Sequence, residues 1–125
     1  MSIADELDML RATVPGCTLV AFGDLNARIV LCASAAQKPP QEDLDALCLS
    51  ASGALDGGFA GSVAAFLGGS RLTQAVTLGS GEIRLFLRSH LDSADALFCT
   101  FTDQTDIRDM LDAGRRTLHR ISEQP

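Results

Sequence analysis

The sequence predicts an α+β fold in which a sheet is covered by helices on both faces, with elements in the order helix, strand, strand, helix, strand, strand, strand, helix. Three observations carry this reading. Residues 72–78 alternate around a Gly79-Ser80-Gly81-Glu82 turn with residues 83–88, and glycine supplies the positive φ of a tight hairpin. Residues 96–102, Ala-Leu-Phe-Cys-Thr-Phe-Thr, are apolar on both alternating faces, as in a strand buried inside a covered sheet. The intervening segments space their apolar residues at helical intervals.

Taken in order, residues 2–12 form the first helix. Ser2 is its N-cap, Asp5 and Glu6 favour the positive end of the dipole, and Ile3, Leu7, Leu10 and Val14 make one apolar stripe before Pro15-Gly16 ends it. Residues 17–22 and 27–33 are two strands around Gly23-Asp24-Leu25-Asn26, where Asp and Asn side chains bond their own backbone. Pairing Asp24 with Ala27 places Cys32 opposite Leu19, with Cys17 a diagonal neighbour on the same face.

A helix starts near Gln41, after Pro39-Pro40, with Glu42, Asp43 and Asp45 at its acidic start. Leu44, Leu47, Cys48, Ala51 and Leu55, continued by Phe59, Ser62 and Phe66, line one side. The opposite side holds Ala46, Ser50, Gly53, Gly57, Gly61 and Ala64, where an ordinary surface helix places charges. Two readings stand. Gly57-Gly58 divides the element, since each glycine costs about 1 kcal/mol relative to alanine inside a helix; or the small face admits a second helix backbone at close range. On the second reading the apolar stripe faces the sheet and the small stripe faces a partner subunit.

For the hairpin, a two-residue Ser80-Gly81 turn pairs Leu78 with Ile83, Val76 with Leu85 and Gln74 with Leu87. That register collects Val76, Leu78, Ile83, Leu85 and Leu87 on one face. Arg84 and Arg88 share the other face with Thr73 and Thr77, where they pair with carboxylates of the covering helix. The last helix spans 106–122, capped by Thr105 or Asp103. Ile107, Met110, Leu111, Gly114, Leu118 and Ile121 are its buried stripe, and Arg115, Arg116, His119 and Arg120 its solvated basic end.

Composition narrows the function. The 125 residues form a single domain, and a net charge of −6 opposes binding to nucleic acid or to an anionic membrane surface. The acidic start lacks the features of a signal peptide, and the expected location is cytoplasmic. Cys17, Cys32, Cys48 and Cys99 have no metal-ligand spacing and read as free buried thiols. His90 and His119 are the only histidines, and neither sits in a ligand or triad pattern. Gly57-Gly58-Phe59-Ala60-Gly61-Ser62 lacks the lysine of a phosphate-binding loop. No catalytic residue, cofactor or metal ligand is assigned.

The element order, the residues from Val14 to Val20 leading into the first strand, the Gly23-Asp24-Leu25-Asn26 turn, and Leu97-Phe98-Cys99-Thr100-Phe101-Thr102-Asp103 before the last helix together resemble the Roadblock (dynein light-chain type) domain family. The resemblance covers nearly the whole chain, 1–125. It implies a three-layer α/β/α sandwich around a five-stranded antiparallel sheet, the middle helix on one face and the terminal helices on the other. It also implies a homodimer joined through third strands and middle helices. Here that interface would comprise Ala46, Ser50, Gly53, Gly57, Gly61, Leu72, Gln74 and Val76. Bacterial members often regulate small Ras-like GTPases, and others are scaffolds. The expected function is therefore non-catalytic regulation of a small GTPase or related signalling partner. The alternative is a small-molecule sensor holding its ligand between sheet and helix.

Overall fold

A computed structural model describes residues 2–57, 73–79, 81–90 and 93–123. Among these the elements are α1 (Ile3–Thr13), β1 (Cys17–Asp24), β2 (Ile29–Ala35), α2 (Gln41–Asp56), β3 (Gln74–Gly79), β4 (Glu82–Arg88), β5 (Asp95–Thr102) and α3 (Ile107–Ser122). The five strands form one antiparallel sheet in the order β2-β1-β5-β4-β3.

Alternation along the strands divides the core in two. Val20, Phe22, Ile83, Leu85, Leu87, Leu97, Cys99 and Phe101 face α1 and α3; Ala21, Phe86, Ala96 and Phe98 face α2. Strand β5 is buried on both faces, as its composition requires. On the α2 side Phe86 and Phe98 are paired across β4 and β5, their rings edge to face with centroids 6.1 Å apart.

The first helix is closed at its start by a capping box. Ser2 Oγ accepts from Asp5 N, and Ser2 N donates to Asp5 Oδ2, each at 3.2 Å. Leu7, Leu10 and Val14 are buried on the expected stripe. Glu6 is only 4% exposed and meets Arg120 of α3, Oε2 to Nε at 2.8 Å, tying the terminal helices together.

The β3–β4 hairpin has the expected register: Gln74 pairs with Leu87, Val76 with Leu85 and Leu78 with Ile83, and Gly81 has φ +71°. The β1–β2 pair does not. Asp24 pairs with Ile29, so the turn is longer; Asp24 Oδ1 accepts from Asn26 N (2.8 Å) and Ala27 N (2.9 Å), while Arg28 sits at φ +59° and Leu25 turns inward to the α2 core. A β-bulge leaves Leu31 without a partner between the Phe22–Cys32 and Gly23–Val30 pairs. Cys32 therefore lies opposite Phe22 instead of Leu19. Cys17 pairs with Phe101, five residues along β1, or about 16 Å at ~3.3 Å per residue. That exceeds disulfide range, and all four cysteines are free.

Helix α3 also corrects its expected details. Asp106 is itself the N-cap, accepting from Arg108 N (2.8 Å) and Asp109 N (3.4 Å). Thr105 instead ties the helix start to the N-terminal half, donating from Oγ1 to Pro15 O at 2.8 Å. Met110, Gly114, Leu118 and Ile121 are buried, joined by Ala113 and Thr117, while Ile107 is 40% exposed and Leu111 is half-buried. At Gly114 the helix approaches the sheet so closely that an added Cβ would lie 2.8 Å from Leu87 Cδ1.

Candidate interaction surface

Helix α2 crosses the sheet from β2 to β4, and side-chain bonds at each end hold it there. At its start Gln41 Nε2 donates to Val30 O of β2 (3.2 Å), and Asp45 Oδ1 accepts from Val30 N (3.3 Å). At its finish Asp56 Oδ2 accepts from Arg88 Nη1 of β4 (2.8 Å). Arg88 is fully buried, its pairing with a carboxylate of the covering helix matching the sequence expectation. Arg84 instead meets Glu82 of its own strand at 3.7 Å.

Leu44, Leu47, Cys48, Ala51 and Leu55 turn inward from α2, leaving Ala46, Ser50 and Gly53 exposed on the outer side. Leu49, 53% exposed, lies three residues from Ala46 and four from Gly53 and so joins the same outer face. The small-residue pattern passed over this leucine, although its spacing marks it. The helix ends at Asp56, and Gly57 is the C-cap, its N–H donating to Gly53 O at 2.9 Å. A break at Gly57 is therefore the reading that fits. Gly61, Ala64, Leu72, Phe59, Ser62 and Phe66 lie outside the described residues.

Strand β3 bonds only β4 among the described residues, so its outer edge lines one rim of the sheet. Val76 and Leu78 are 43% and 76% exposed, and Gln74 is exposed beside them. Pairing with Leu87, Leu85 and Ile83 sets these three side chains on the α1–α3 side of the sheet. The anticipated interface residues consequently fall on opposite faces of the sheet: Ala46, Ser50 and Gly53 on the outer side of α2, Gln74 and Val76 on the α1–α3 side.

Arg115 of α3 fixes the beginning of that edge. Its Nη1 donates to Arg88 O (3.0 Å), while Nη2 reaches Thr73 O (3.1 Å), Thr73 Oγ1 (3.2 Å) and Gln74 Oε1 (3.1 Å). Thr73 O also accepts from Arg88 N at 2.9 Å. Partial burial lowers the Arg115 pKa from its ordinary value. Sequence reasoning placed this arginine in a solvated helix end, because its acceptors lie 27 to 42 residues away and half of them are backbone carbonyls.

Three of the four thiols are the opposite of activated. Burial raises the pKa of Cys17 and Cys48 from 9.0 to about 11 and that of Cys99 well above 9.0, opposite to the shift that activates a thiol. Among the described residues no three His, Cys, Asp or Glu side chains gather as metal ligands, and no helix is long and apolar enough to cross a membrane. A groove of about 510 Å³ lies between α2 and the sheet, bordered by Thr18, Leu19, Leu47, Ser50, Arg84 and Thr100.

This architecture is the Roadblock-type fold, a five-stranded antiparallel sheet between one helix and the pair of terminal helices. Solved structures that share it include a Roadblock/LC7 domain from Streptomyces avermitilis (15% identity, 98% of this chain and 96% of that one, TM-score 0.81). Others are the gliding protein MglB from Thermus thermophilus (20% identity, 98% and 90%, TM-score 0.78) and MglB from Myxococcus xanthus (17% identity, 97% and 94%, TM-score 0.74). No protein-family model and no curated protein matches the sequence.

Proposed function

We propose that the protein is a non-catalytic homodimeric regulator or scaffold that binds a small Ras-like GTPase or a related signalling partner. The observation that carries this is the β3 edge, which pairs with no strand but β4 among the described residues and exposes Val76 and Leu78, together with the small-residue outer face of α2 on the other side of the sheet. An exposed apolar edge strand invites strand pairing, and a helix face of Ala46, Ser50 and Gly53 lets a second helix approach. Similarity to MglB, one structure of which has a tetrameric arrangement, supports self-association, and the Roadblock resemblance supports the GTPase.

The test combines Gly53→Arg with nucleotide-dependent capture. Among the described residues nothing lies within 4 Å of a Cβ at Gly53, and replacing glycine within a helix stabilises the folded monomer by about 1 kcal/mol, so a lost dimer would not reflect unfolding. Gly57 is unsuitable, because a Cβ there would collide with Gly53 O. Wild-type protein should sediment as a dimer and G53R as a folded monomer. Tagged wild type should enrich a small GTPase from lysate with either GTP analogue or GDP, but not equally with both. A dimer untouched by G53R refutes the helix contact, and absence of a GTPase in both nucleotide states refutes the partner.

The groove between α2 and the sheet favours a second reading, a sensor with a small polar ligand held near Thr18, Ser50, Arg84 and Thr100. A monomeric wild type that captures no GTPase moves the weight there.

A further inference from the structure

We infer that Arg115 is the positioning residue of the assembly edge: from α3 it holds the first residues of β3 against the end of β4, so the order of the rim is governed from the helical layer. The inference rests on the edge-pairing reading above for its functional meaning, though the clamp itself is a property of the single chain. Strand β3 is poorly secured by packing, since Gln74, Val76, Thr77 and Leu78 are exposed, and among the described residues of the strand only Ala75 is packed against a core. At the Thr73 end, a single guanidinium binds four acceptors on Arg88, Thr73 and Gln74. A planar fork can hold acceptors from two adjacent strands together, which a point charge on a flexible stem does less well.

Arg88 makes the clamp two-sided. Its N–H bonds Thr73 O while its side chain bonds Asp56 on α2, so the carbonyl that Arg115 grips is also held by the residue anchoring the opposite helix. The start of β3 thus registers the positions of both α2 and α3. An edge that must align its backbone with another strand needs that start fixed.

Amide hydrogen exchange tests this in the full chain, with Arg115→Met removing every donor while keeping length and helix propensity, and Arg115→Lys retaining a charge. Exposed Arg116→Ala serves as the control. Charge-assisted bonds of this kind predict that β3 amides bonded to β4 exchange about tenfold or more faster in R115M, with β1 and β5 unchanged and R115K intermediate. If the wild type is dimeric, the R115M dissociation constant should rise by a similar factor. Exchange in β3 within about twofold of wild type overturns the inference. So does equal loss across all strands in both R115M and R115K, which would make Arg115 a general stability residue. A monomeric wild type refutes the dimer reading alone, and β3 exchange still decides the clamp.

Discussion

Glycines that look alike in the sequence differ sharply in what surrounds them. At Gly23 a Cβ would stand 2.8 Å from Ile29 O and 3.0 Å from Phe98 Cε2, because the bulged β2 crowds against β1 there. A backbone oxygen cannot swing aside as a side chain can. Gly23→Ala should therefore destabilise the protein by about 1–3 kcal/mol, measured as a lower urea midpoint with unchanged m-value. An unshifted midpoint would show that β2 yields at the bulge. Gly53, by contrast, is open, so its substitution bears on association and leaves the fold intact. Arg115 belongs to the same scale: its neighbour Arg116 is exposed, and composition alone does not tell the two apart.

Among the elements, α3 depends on a cap that the sequence pattern assigned to a neighbouring residue. Asp106 Oδ1 accepts from two N–H groups of the first turn, so Asp106→Ala should cost about 1 kcal/mol by chemical denaturation, while Thr105→Ala should act through its bond to Pro15 O. A neutral Asp106→Ala would return the cap to another residue. The register of the β3–β4 hairpin was legible because strict alternation leaves one pairing that collects the apolar side chains on one face. In β1–β2 two devices intervened, the Asp24 side chain organising a longer turn and a bulge that resets alternation. The apolar stripe of α2 was legible, but Leu49 and the end at Gly57 emerged only from the folded chain, as did the division of the interface residues between two faces.

For the whole molecule, the buried thiols set an alkaline limit. The protein has no tyrosine and a single lysine, Lys38, so cysteines dominate titration above neutrality. Below 9.0 the thiols are protonated in folded and unfolded chains alike, and their contribution is complete. As pH rises through the window from 9.0 to about 11, the unfolded chain ionises Cys17 and Cys48 first, and stability falls. Urea midpoints should be level from about pH 7 to 8.5 and decline by about pH 10.5, less steeply in a Cys48→Ala variant compared with its own neutral midpoint. A level profile across that whole range would mean that the thiols are better solvated than the structure indicates.

The position of β5 has a consequence for how the chain is made. It lies between β1 and β4, which do not pair with each other, and it is buried along almost its whole length. A ribosome releases β1, β2, α2 and the β3–β4 hairpin before the strand that joins them exists. Until then two half-sheets expose edges and unburied faces, and α1 lacks the α3 partner that Glu6 binds. Folding should therefore wait on the last third of the chain and then proceed in one concerted step, at the slow pace of long-range strand pairing. During that interval the nascent protein is a natural client for a holding chaperone.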